Sequence, residues 1–316
     1  MIIPTNIDFI EYLDFIGKQE SQSIEWASHW ADELADHLAN PKENEGSLLP
    51  WTKTHNDIRF RMGELSIHAG MNGHMKSLIL GQMMVWLSVS EKVCIASLEM
   101  KPIETLGRMA RQVAGCRDVN PDYARKFLTW ADQRICIYDE LDKVESDRIL
   151  GMTYYAAREL GCNHIVIDSL TKCGLAAEDY DAEKQFIDRL QWAAKTLNIH
   201  VHLVAHVRKP QSGGEEWIPT KFDVKGTGSL TDMCDNVFIH WKNKAKAQAV
   251  EAQERGETLT DKEHAQLERP DQLLIVAKQR HGSWEGKKGL WFDRDSLQFT
   301  GDDSGRVMPF SLETSF

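Results

Sequence analysis

Apolar and polar positions alternate along most of the chain in a way that predicts strands separated by helices. Short segments that are almost continuously apolar, such as 164–168, alternate with longer segments whose apolar residues recur every three or four positions. Strands that are apolar on both faces indicate a mostly parallel sheet covered by helices, so the pattern predicts an α/β fold. The predicted strands are 64–69, 92–97, 134–139, 163–169, 199–206 and 273–280, with a hairpin in 283–300, and the predicted helices are 76–87, 102–115, 121–132, 144–160 and 181–197.

The first 50 residues have a different pattern and are predicted to form a helical extension and a linker. Residues 7–39 show helical spacing, whereas 40–50 are polar with Gly and Pro, so the compact domain is expected to cover 51–316. The apolar stripe of the extension consists of Ile24, Trp26, Trp30, Leu34 and Leu38. Such a stripe covers either the chain's own core or a neighbouring subunit. Inside the compact domain, the charged segment 242–271 is interpreted as a solvated helical insertion.

A strand, a turn rich in small residues and a Lys-Ser pair at a helix start follow one another in ELSIHAGMNGHMKS, residues 64–77. This is the order of a phosphate-binding loop, or P-loop, in which backbone N–H groups and the helix N-terminus hold phosphates. Lys76 would supply an ammonium for the β- and γ-phosphates, and Ser77 a hydroxyl for Mg²⁺. The alternative is a chance Lys-Ser pair at a helix start.

The usual P-loop pattern, G-x-x-x-x-G-K-[ST], has one departure in this chain, because Met75 stands where the second glycine is expected. Backbone in a phosphate-binding loop often has positive φ, which costs a non-glycine residue about 1–2 kcal/mol. The loop is therefore either a working nucleotide site or a decayed one. The predicted nucleotide-binding residues of the loop are Gly70, Asn72, Gly73, His74, Met75, Lys76 and Ser77.

Two carboxylates follow predicted strands at positions suited to nucleotide chemistry. Asp168 ends the strand in NHIVIDS, where a carboxylate can hold the water shell of Mg²⁺. Glu99, in SLEM, follows the strand after the P-loop helix, where a carboxylate can orient or deprotonate the attacking water. Each has an ordinary alternative, because many buried strands end in Asp and a glutamate near a helix start is favoured by the helix dipole.

A long loop at 208–225 is the best local candidate for nucleic-acid contact. It contains glycines, follows a predicted strand, and carries the basic residues Arg208, Lys209, Lys221 and Lys225. Loops of this length are usually functional or disordered. Two glutamates dilute the basic charge, so composition alone favours a mobile surface loop over nucleic-acid contact.

Three histidines of one predicted strand, His200, His202 and His206, have same-face spacing. The pattern allows a metal site, but hydrogen-bonded strand histidines are commoner, and we favour that interpretation.

Composition limits the classes of protein that fit. The chain has 316 residues with 42% hydrophobic and 27% charged, as in an ordinary globular protein with a full core. The net charge of -11, from 37 basic and 48 acidic residues, argues against a protein that coats nucleic acid over its whole surface, but allows a basic channel. The 6 cysteines lack a C-x-x-C pair, which predicts free thiols in a reducing cytoplasm. Neither a signal peptide nor a membrane span is predicted, so the expected location is cytoplasmic.

Together these motifs resemble the RecA-type motor domain of DnaB-like ring helicases, in particular phage replicative helicases and the helicase half of phage primase-helicases. The resemblance is carried, in the family's order, by LPWTKTHNDIRFRMGELSIHAGMNGHMKS, SLEM, HIVIDSL, HLVAHVRKP, VKGTGSLTDMCDNVFIHWKN and IVAKQRHGSWEG, within about residues 48–292. It implies a RecA-like P-loop NTPase core, ATP or another NTP with Mg²⁺ as ligands, and a helicase or translocase of DNA replication in the bacterial host cytoplasm.

The resemblance also implies roles for individual residues of the nucleotide site. Lys76 and Ser77 match the phosphate lysine and the magnesium hydroxyl, and Asp168 matches the Walker-B aspartate. Glu99 matches the catalytic glutamate. His206 matches the polar residue that senses the γ-phosphate and couples it to the DNA loop.

Further roles implied by the resemblance concern neighbouring molecules. Arg280, with Lys278 beside it, matches the arginine finger that reaches the next subunit's site in a ring, which is expected to be hexameric. The loop at 208–225 matches the segment that lines a central channel and follows single-stranded DNA, and the N-terminal helix resembles the linker helix by which one subunit grips the next. A primase or other replisome proteins are further candidate partners. No zinc-binding or primase segment precedes the domain, so this chain is not expected to make primers by itself.

Two other functions stay open at this point. One is a non-hydrolysing DNA-binding or assembly protein on the same fold, in which Met75 marks a decayed P-loop. The other is a recombinase-like filament, which shares the core but less of the AKQRHG and VKGTGSL patterns. The joint presence of Lys76, Ser77, Glu99, Asp168 and Arg280 favours an active NTPase, because a decayed site has little reason to keep all of them.

Overall fold

The computed structural model describes residues 7–17, 24–39, 45–176, 179–208, 216–226 and 228–313. The strands are β1 (Ser47–Leu48), β2 (Arg59–Phe60), β3 (Leu65–Gly70), β4 (Val93–Ser97), β5 (Ile135–Tyr138), β6 (His164–Asp168), β7 (His200–His206), β8 (Asn236–Lys242), β9 (Gln272–Gln279), β10 (Gly286–Phe292) and β11 (Phe299–Thr300). The helices are α1 (Phe9–Gly17), α2 (Ala31–Ala39), α3 (Lys76–Leu87), α4 (Pro102–Ala114), α5 (Pro121–Ala131), α6 (Ser146–Arg158), α7 (Tyr180–Leu197), α8 (Gly228–Met233), α9 (Lys244–Glu254) and α10 (Asp261–Leu267).

The centre of the fold is a nine-stranded sheet in the order β11-β10-β9-β8-β3-β7-β6-β4-β5. The strands from β8 to β5 run parallel, and β9, β10 and β11 are added antiparallel at one side. The predicted α/β class and mostly parallel sheet are therefore confirmed. We call the side where the parallel strands end the carboxyl edge, and the opposite side the amino edge. Ligands of such sheets bind at the carboxyl edge.

Alternate residues of each central strand pack on opposite faces of the sheet. In β3, Leu65 and Ile67 join the apolar cluster that includes α6 and α7. His68, the next residue along the strand, stacks on Phe238 at the face covered by α3 and α4. Because helices cover both faces, both sets of side chains are buried, and the pattern of the strands is therefore almost continuously apolar.

The N-terminal segment contacts the core through its first helix. The ring of Phe9 in α1 lies 5.6 Å from that of Tyr138 and 5.7 Å from that of Tyr155 in α6. Gly151 allows this approach, because an added Cβ would lie 1.9 Å from the carbonyl oxygen of Phe9. By contrast, the side chains of the predicted apolar stripe around α2 are all exposed, so this stripe does not cover the chain's own core.

The charged segment 242–271 is helical, as its pattern predicts, but it is not wholly solvated. Its helices α9 and α10 follow β8 directly. Lys246 and Ala249 are buried, and the Lys246 ammonium lies 3.1 Å from a carboxylate oxygen of Asp271. Alanine and a paired lysine can pack on the domain without large apolar residues, which is why composition alone suggested full solvation.

Histidines on four adjacent strands form a continuous hydrogen-bonded line inside the sheet. Glu91, just before β4, lies 2.5 Å from His164 Nε2, and His164 Nδ1 lies 3.1 Å from His202 Nε2. The line continues from His202 Nδ1 to His68 Nε2 at 3.2 Å and from His68 Nδ1 to His240 Nε2 at 3.0 Å. An ionised Glu91 only accepts, so each ring in turn donates from Nε2 and accepts at Nδ1. This interpretation agrees with His240 Nδ1, which is buried without a hydrogen-bond partner among the described residues.

Four buried histidines of the sheet, His68, His200, His202 and His240, predict a fold that acid destabilises. Burial lowers the pKa of His200 and His240 to about 3, and it lowers the pKa of His68 and His202 well below the usual 6.5. Because the unfolded chain takes up these protons below pH 6.5 and the folded chain does not, stability is complete above that pH and falls as the pH drops toward 3. Each such histidine should cost about 1.2 kcal/mol between pH 7 and pH 5.5.

Urea unfolding at several pH values between 7.5 and 5 would measure this effect. A matched variant, His200→Gln, should flatten the dependence by about one proton, because it removes one titrating side chain. His200 is suitable because it is hydrogen-bonded to Ser66 and to the Arg61 carbonyl, outside the line that begins at Glu91. A free energy of unfolding that is constant over this range would contradict neutral buried histidines.

Candidate nucleotide site

The P-loop connects β3 to α3 at the carboxyl edge, as its sequence predicts. Gly70, the last residue of β3, has room only for a hydrogen, because an added Cβ would lie 2.6 Å from the His240 carbonyl oxygen. Gly73 has φ 78° and Met75 has φ 58°. Met75 therefore adopts the left-handed conformation that a glycine would adopt at this position, directly before the first residue of α3.

The Lys76 side chain points into the loop and not away from it. Its ammonium donates to the carbonyl oxygens of Gly70 at 2.9 Å and Met71 at 3.1 Å, and it lies 3.5 Å from His206 Nδ1. Burial lowers the pKa of Lys76, while the carboxylates of Asp168 and Glu99 act in the opposite direction. The result is a positive charge held at the end of β3, where phosphate oxygens would need it.

Ser77 and Asp168 are brought together although 91 residues separate them. The Ser77 hydroxyl donates a hydrogen bond to Asp168 Oδ2. Burial raises the pKa of Asp168, and the Ser77 hydrogen bond partly offsets this rise. A hydroxyl and a buried carboxylate are hard oxygen donors of the kind that bind Mg²⁺ beside nucleotide phosphates. The pair thus fits the ion that the sequence predicts.

Glu99 lies at the mouth of the site with His206. Its Oε1 accepts a hydrogen bond from the Ser169 hydroxyl at 2.7 Å and lies 3.8 Å from His206 Nε2. Burial, then the nearby Lys76 ammonium, lower the pKa of His206, so this ring is neutral near pH 7. Both side chains line a cleft of about 640 Å³ whose other walls include Asn72, Lys101, Glu104 and Lys172.

One loop residue, His74, faces inward. It is buried, and its Nδ1 accepts from the backbone N–H of Lys242 at 3.2 Å. Burial lowers the pKa of His74 to about 4. The side chain therefore fastens the loop to the end of β8, which leaves only the backbone of His74 to contribute to the predicted nucleotide-binding loop.

Arg280 and Lys278 lie at the amino edge, across the sheet from Lys76. Because β9 is antiparallel to β8, the last residue of β9 pairs with Asn236, the first residue of β8. The Arg280 guanidinium lies 2.8 Å from Asp235 Oδ1 and remains 37% exposed. The Lys278 ammonium is held by the carbonyl oxygens of Thr231, Asp232 and Cys234 at the end of α8. Neither cation can reach the P-loop of its own chain.

The basic loop is anchored beside His206, although not all of it is described. The Lys225 N–H donates to the His206 carbonyl at 2.7 Å, and the Arg208 N–H donates to the Asp223 carbonyl at 2.7 Å. Arg208 and Lys225 are exposed and Lys221 is half-buried. Lys209 lies outside the described residues. The base of the loop is thus fixed to the carboxyl edge next to the candidate nucleotide site.

The sequence did not indicate Ser169 as a site residue, and it did not identify the hydrogen-bond partners of the strand histidines. Ser169 positions Glu99, and its only signal was its place directly after Asp168. His200 and His202 are buried and hydrogen-bonded, as favoured from their pattern, and their partners lie inside the sheet, away from the cleft. In the part of the chain that the structure describes, no three His, Cys, Asp or Glu side chains are arranged to hold a metal ion.

Substituting the unusual P-loop residue should change nucleotide binding little. Because the Met75 backbone already has positive φ, Met75→Gly is expected to leave nucleotide affinity within about threefold of that of the unmodified chain and to relieve about 1 kcal/mol of backbone strain. Packing of the Met75 side chain against the apolar cluster at α3 opposes this gain. Nucleotide affinities and urea midpoints of both proteins would test this. Nucleotide binding that appears only after the glycine is introduced would show that Met75 blocks the loop.

Comparisons with known proteins find similar sequences and similar folds. Residues 56–212 match the family described as AAA domain. A DNA helicase/primase of Enterobacteria phage T3 is 26% identical over 205 residues, which make up 58% of this chain and 36% of that protein. The chain therefore matches about a third of the length of this relative. Among the described residues, no helix is long and apolar enough to cross a membrane.

Solved structures identify the fold. One of them, an isolated ATPase domain, superposes with a TM-score of 0.70 at 15% identity, covering 89% of this chain and 100% of that domain. A DnaB-like replicative helicase, from a structure that describes its interactions with primase, superposes with a TM-score of 0.64 at 15% identity, covering 91% of this chain and 70% of the other. The predicted RecA-like fold is thereby confirmed, and the resemblance to DnaB-like phage helicases agrees with this fold and with the sequence match to the phage T3 protein.

Proposed function

We propose that this chain is a ring-forming, NTP-driven motor that moves along single-stranded DNA in phage replication. Residues 56–212 match an AAA domain, and the fold is that of a DnaB-like replicative helicase. The observation that supports it best is the cluster at the carboxyl edge. Contacts of 3.8 Å or less join Lys76 to His206, His206 to Glu99, and Glu99 to Ser169, and Asp168, the residue before Ser169, accepts from the Ser77 hydroxyl. The ligands of this proposal are ATP or another NTP with Mg²⁺, and single-stranded DNA.

The residues of one chain supply most of the hydrolytic site. Lys76 and the P-loop backbone would hold the β- and γ-phosphates, and Ser77 with Asp168 would hold Mg²⁺, which neutralises charge that develops on the phosphates. Glu99 lies beside the loop, and its second carboxylate oxygen does not take part in the Ser169 hydrogen bond. It would orient the attacking water and receive its proton.

The rest of the site would come from a second subunit. Arg280 lies at the amino edge and is partly exposed, so it can complete a phosphate site only on another chain whose carboxyl edge faces it. In general an arginine of this kind accelerates phosphoryl transfer by about 10³–10⁵. Lys278, held by three carbonyls, would support the position of Arg280 rather than touch phosphate. This arrangement requires a ring or a filament.

The exposed stripe around α2 gives a contact for such an assembly. Trp26 is 87% exposed and Leu38 is 70% exposed, and neither packs on its own core. Burying side chains of this size contributes about 1.5–3 kcal/mol each. We assign the stripe to a neighbouring subunit, which is one of the two alternatives that the sequence leaves open. A primase is a further candidate partner.

The rival function is a DNA-binding or assembly protein that does not hydrolyse nucleotide. This function predicts that DNA binding does not depend on nucleotide, and that removing the carboxylates of Glu99 and Asp168 leaves DNA binding unchanged. The positive φ of Met75 argues against this function. Met75 is the residue that suggested a decayed loop, and its backbone has the left-handed conformation that a glycine would adopt there.

Hydrolysis with and without single-stranded DNA would test the proposal. The unmodified chain should hydrolyse NTP faster with DNA, and Lys76→Ala should reduce the rate to background because the β- and γ-phosphates lose their ammonium. Lys101→Ala is a matched control, since Lys101 lines the same cleft from outside the P-loop. A Lys76→Ala protein that hydrolyses NTP as fast as the unmodified chain would exclude the assigned site.

A further inference from the structure

Phe222 is an aromatic ring displayed at the surface of the basic loop. It is 81% exposed. The ammonium of the preceding residue, Lys221, lies 5.6 Å from the centre of the ring. Single exposed apolar residues are common, so exposure alone assigns no role. The local structure around Phe222 is what distinguishes it.

The turn that carries Phe222 is held by its own hydrogen bonds. Residues Lys221–Asp223 form a single 3₁₀ turn, which begins with a capping box between Thr220 and Asp223. Both the backbone N–H and the hydroxyl of Thr220 donate to Asp223 Oδ2 at 2.7 Å. A ring on such a turn is presented in a defined orientation, so little conformational entropy is lost when it binds a partner.

The same turn is fastened to the carboxyl edge. The Asp223 carbonyl accepts from the Arg208 N–H, and Val224 forms a bridge with Val207 directly after β7. The next residue, Lys225, donates its N–H to the His206 carbonyl. Phe222 is therefore three residues from a backbone hydrogen bond to His206, whose ring lies 3.5 Å from the Lys76 ammonium.

We propose that Phe222 is a stacking platform for one base of single-stranded nucleic acid, with Lys221 and Lys225 on adjacent phosphates. An aromatic face stacks on every base, so it grips a strand without reading its sequence, and cations beside it follow the backbone. Proteins that bind single strands without sequence preference combine such cations with aromatic rings. The inference rests on the proposed function, and it adds a contact to the base that the basic residues alone do not supply.

Equilibrium binding would test the platform. We suggest the full chain with a non-hydrolysable nucleotide, an oligothymidine and an abasic oligonucleotide of the same length, at several salt concentrations. Phe222→Ala and Phe222→Leu should weaken oligothymidine binding by about 5- to 150-fold with an unchanged salt slope, and Phe222→Trp should keep the affinity. Lys221→Ala should instead reduce the salt slope by about 0.7.

The abasic oligonucleotide separates base stacking from every other role of the loop. On that strand the unmodified protein and Phe222→Ala should bind equally, because there is no base to stack. Equal oligothymidine affinity of the unmodified, Ala and Leu proteins would overturn the platform and leave the motor function standing. An unmodified chain that binds neither oligonucleotide would overturn both. The exposed position of Phe222 predicts unchanged urea midpoints, and the Leu variant keeps an apolar side chain at the turn.

Discussion

Glu99→Gln should lower the rate of NTP hydrolysis by about 10²–10⁴-fold while nucleotide binding is retained. The amide has the shape of the carboxylate and can still accept from the Ser169 hydroxyl, so the local structure should persist. It cannot take a proton from water. Glu99 is not among the groups proposed to touch the phosphates, which are Lys76 and the loop backbone, and for this reason affinity should change little.

A neighbouring carboxylate provides the control for this variant. Glu104 lines the same cleft from the first turn of α4, outside the P-loop. Glu104→Gln removes the same charge from the cleft and should keep nearly full activity. Nucleotide affinity, measured by fluorescent-analogue binding, and turnover, measured by phosphate release, are needed for both proteins. Full turnover in Glu99→Gln would show that another group activates the water.

Arg280→Ala is expected to lower turnover by about 10³–10⁵-fold, although its own P-loop is intact. The expected loss is large because, in the proposed assembly, the guanidinium stabilises charge on the transferring phosphate of a neighbouring subunit. Removing it also leaves Asp235, which is 1% exposed, without its cation. That carboxylate still accepts from the Leu65 N–H at 2.9 Å, which limits the damage to the fold.

A loss of turnover in Arg280→Ala that comes from lower stability must be separated from one that comes from the missing guanidinium. Arg294→Ala is a suitable control, since Arg294 pairs with Glu254 in an exposed ion pair of the kind that contributes little to stability. Urea unfolding of Arg280→Ala would show how much stability is lost, and its nucleotide affinity would show whether its own P-loop still works. A folded Arg280→Ala protein with normal turnover would remove the arginine finger from the mechanism.

The strands and the meeting of Lys76 with Asp168 at the carboxyl edge were predictable because both follow from local rules. Continuous apolar runs indicated the parallel strands, and the carboxyl ends of parallel strands meet at one edge. This is why Lys76 and Asp168 could be expected to lie close together although they are far apart in sequence. The inward orientation of His74 was not predictable, because it depends on the backbone of β8 and not on the loop itself.

The N-terminal segment shows the limit of periodicity. Both helices there have apolar faces, but Phe9 of α1 packs on the core while Leu34 of α2 is exposed. The difference depends on Gly151 in α6, because the absence of a side chain there lets α1 approach α6 at Phe9. A hydrophobic stripe indicates the side that a helix buries, but it does not identify the surface that covers it.

Mixing two inactive proteins would test most directly whether the site is shared between subunits. Lys76→Ala supplies an intact Arg280, and Arg280→Ala supplies an intact P-loop, so about a quarter of the interfaces in a randomly mixed ring would be complete. We predict that DNA-stimulated NTP hydrolysis returns on mixing, to a measurable fraction of the rate of the unmodified chain. If the unmodified chain is active and the mixture stays as inactive as its components although mixed assemblies form, the intersubunit site is wrong.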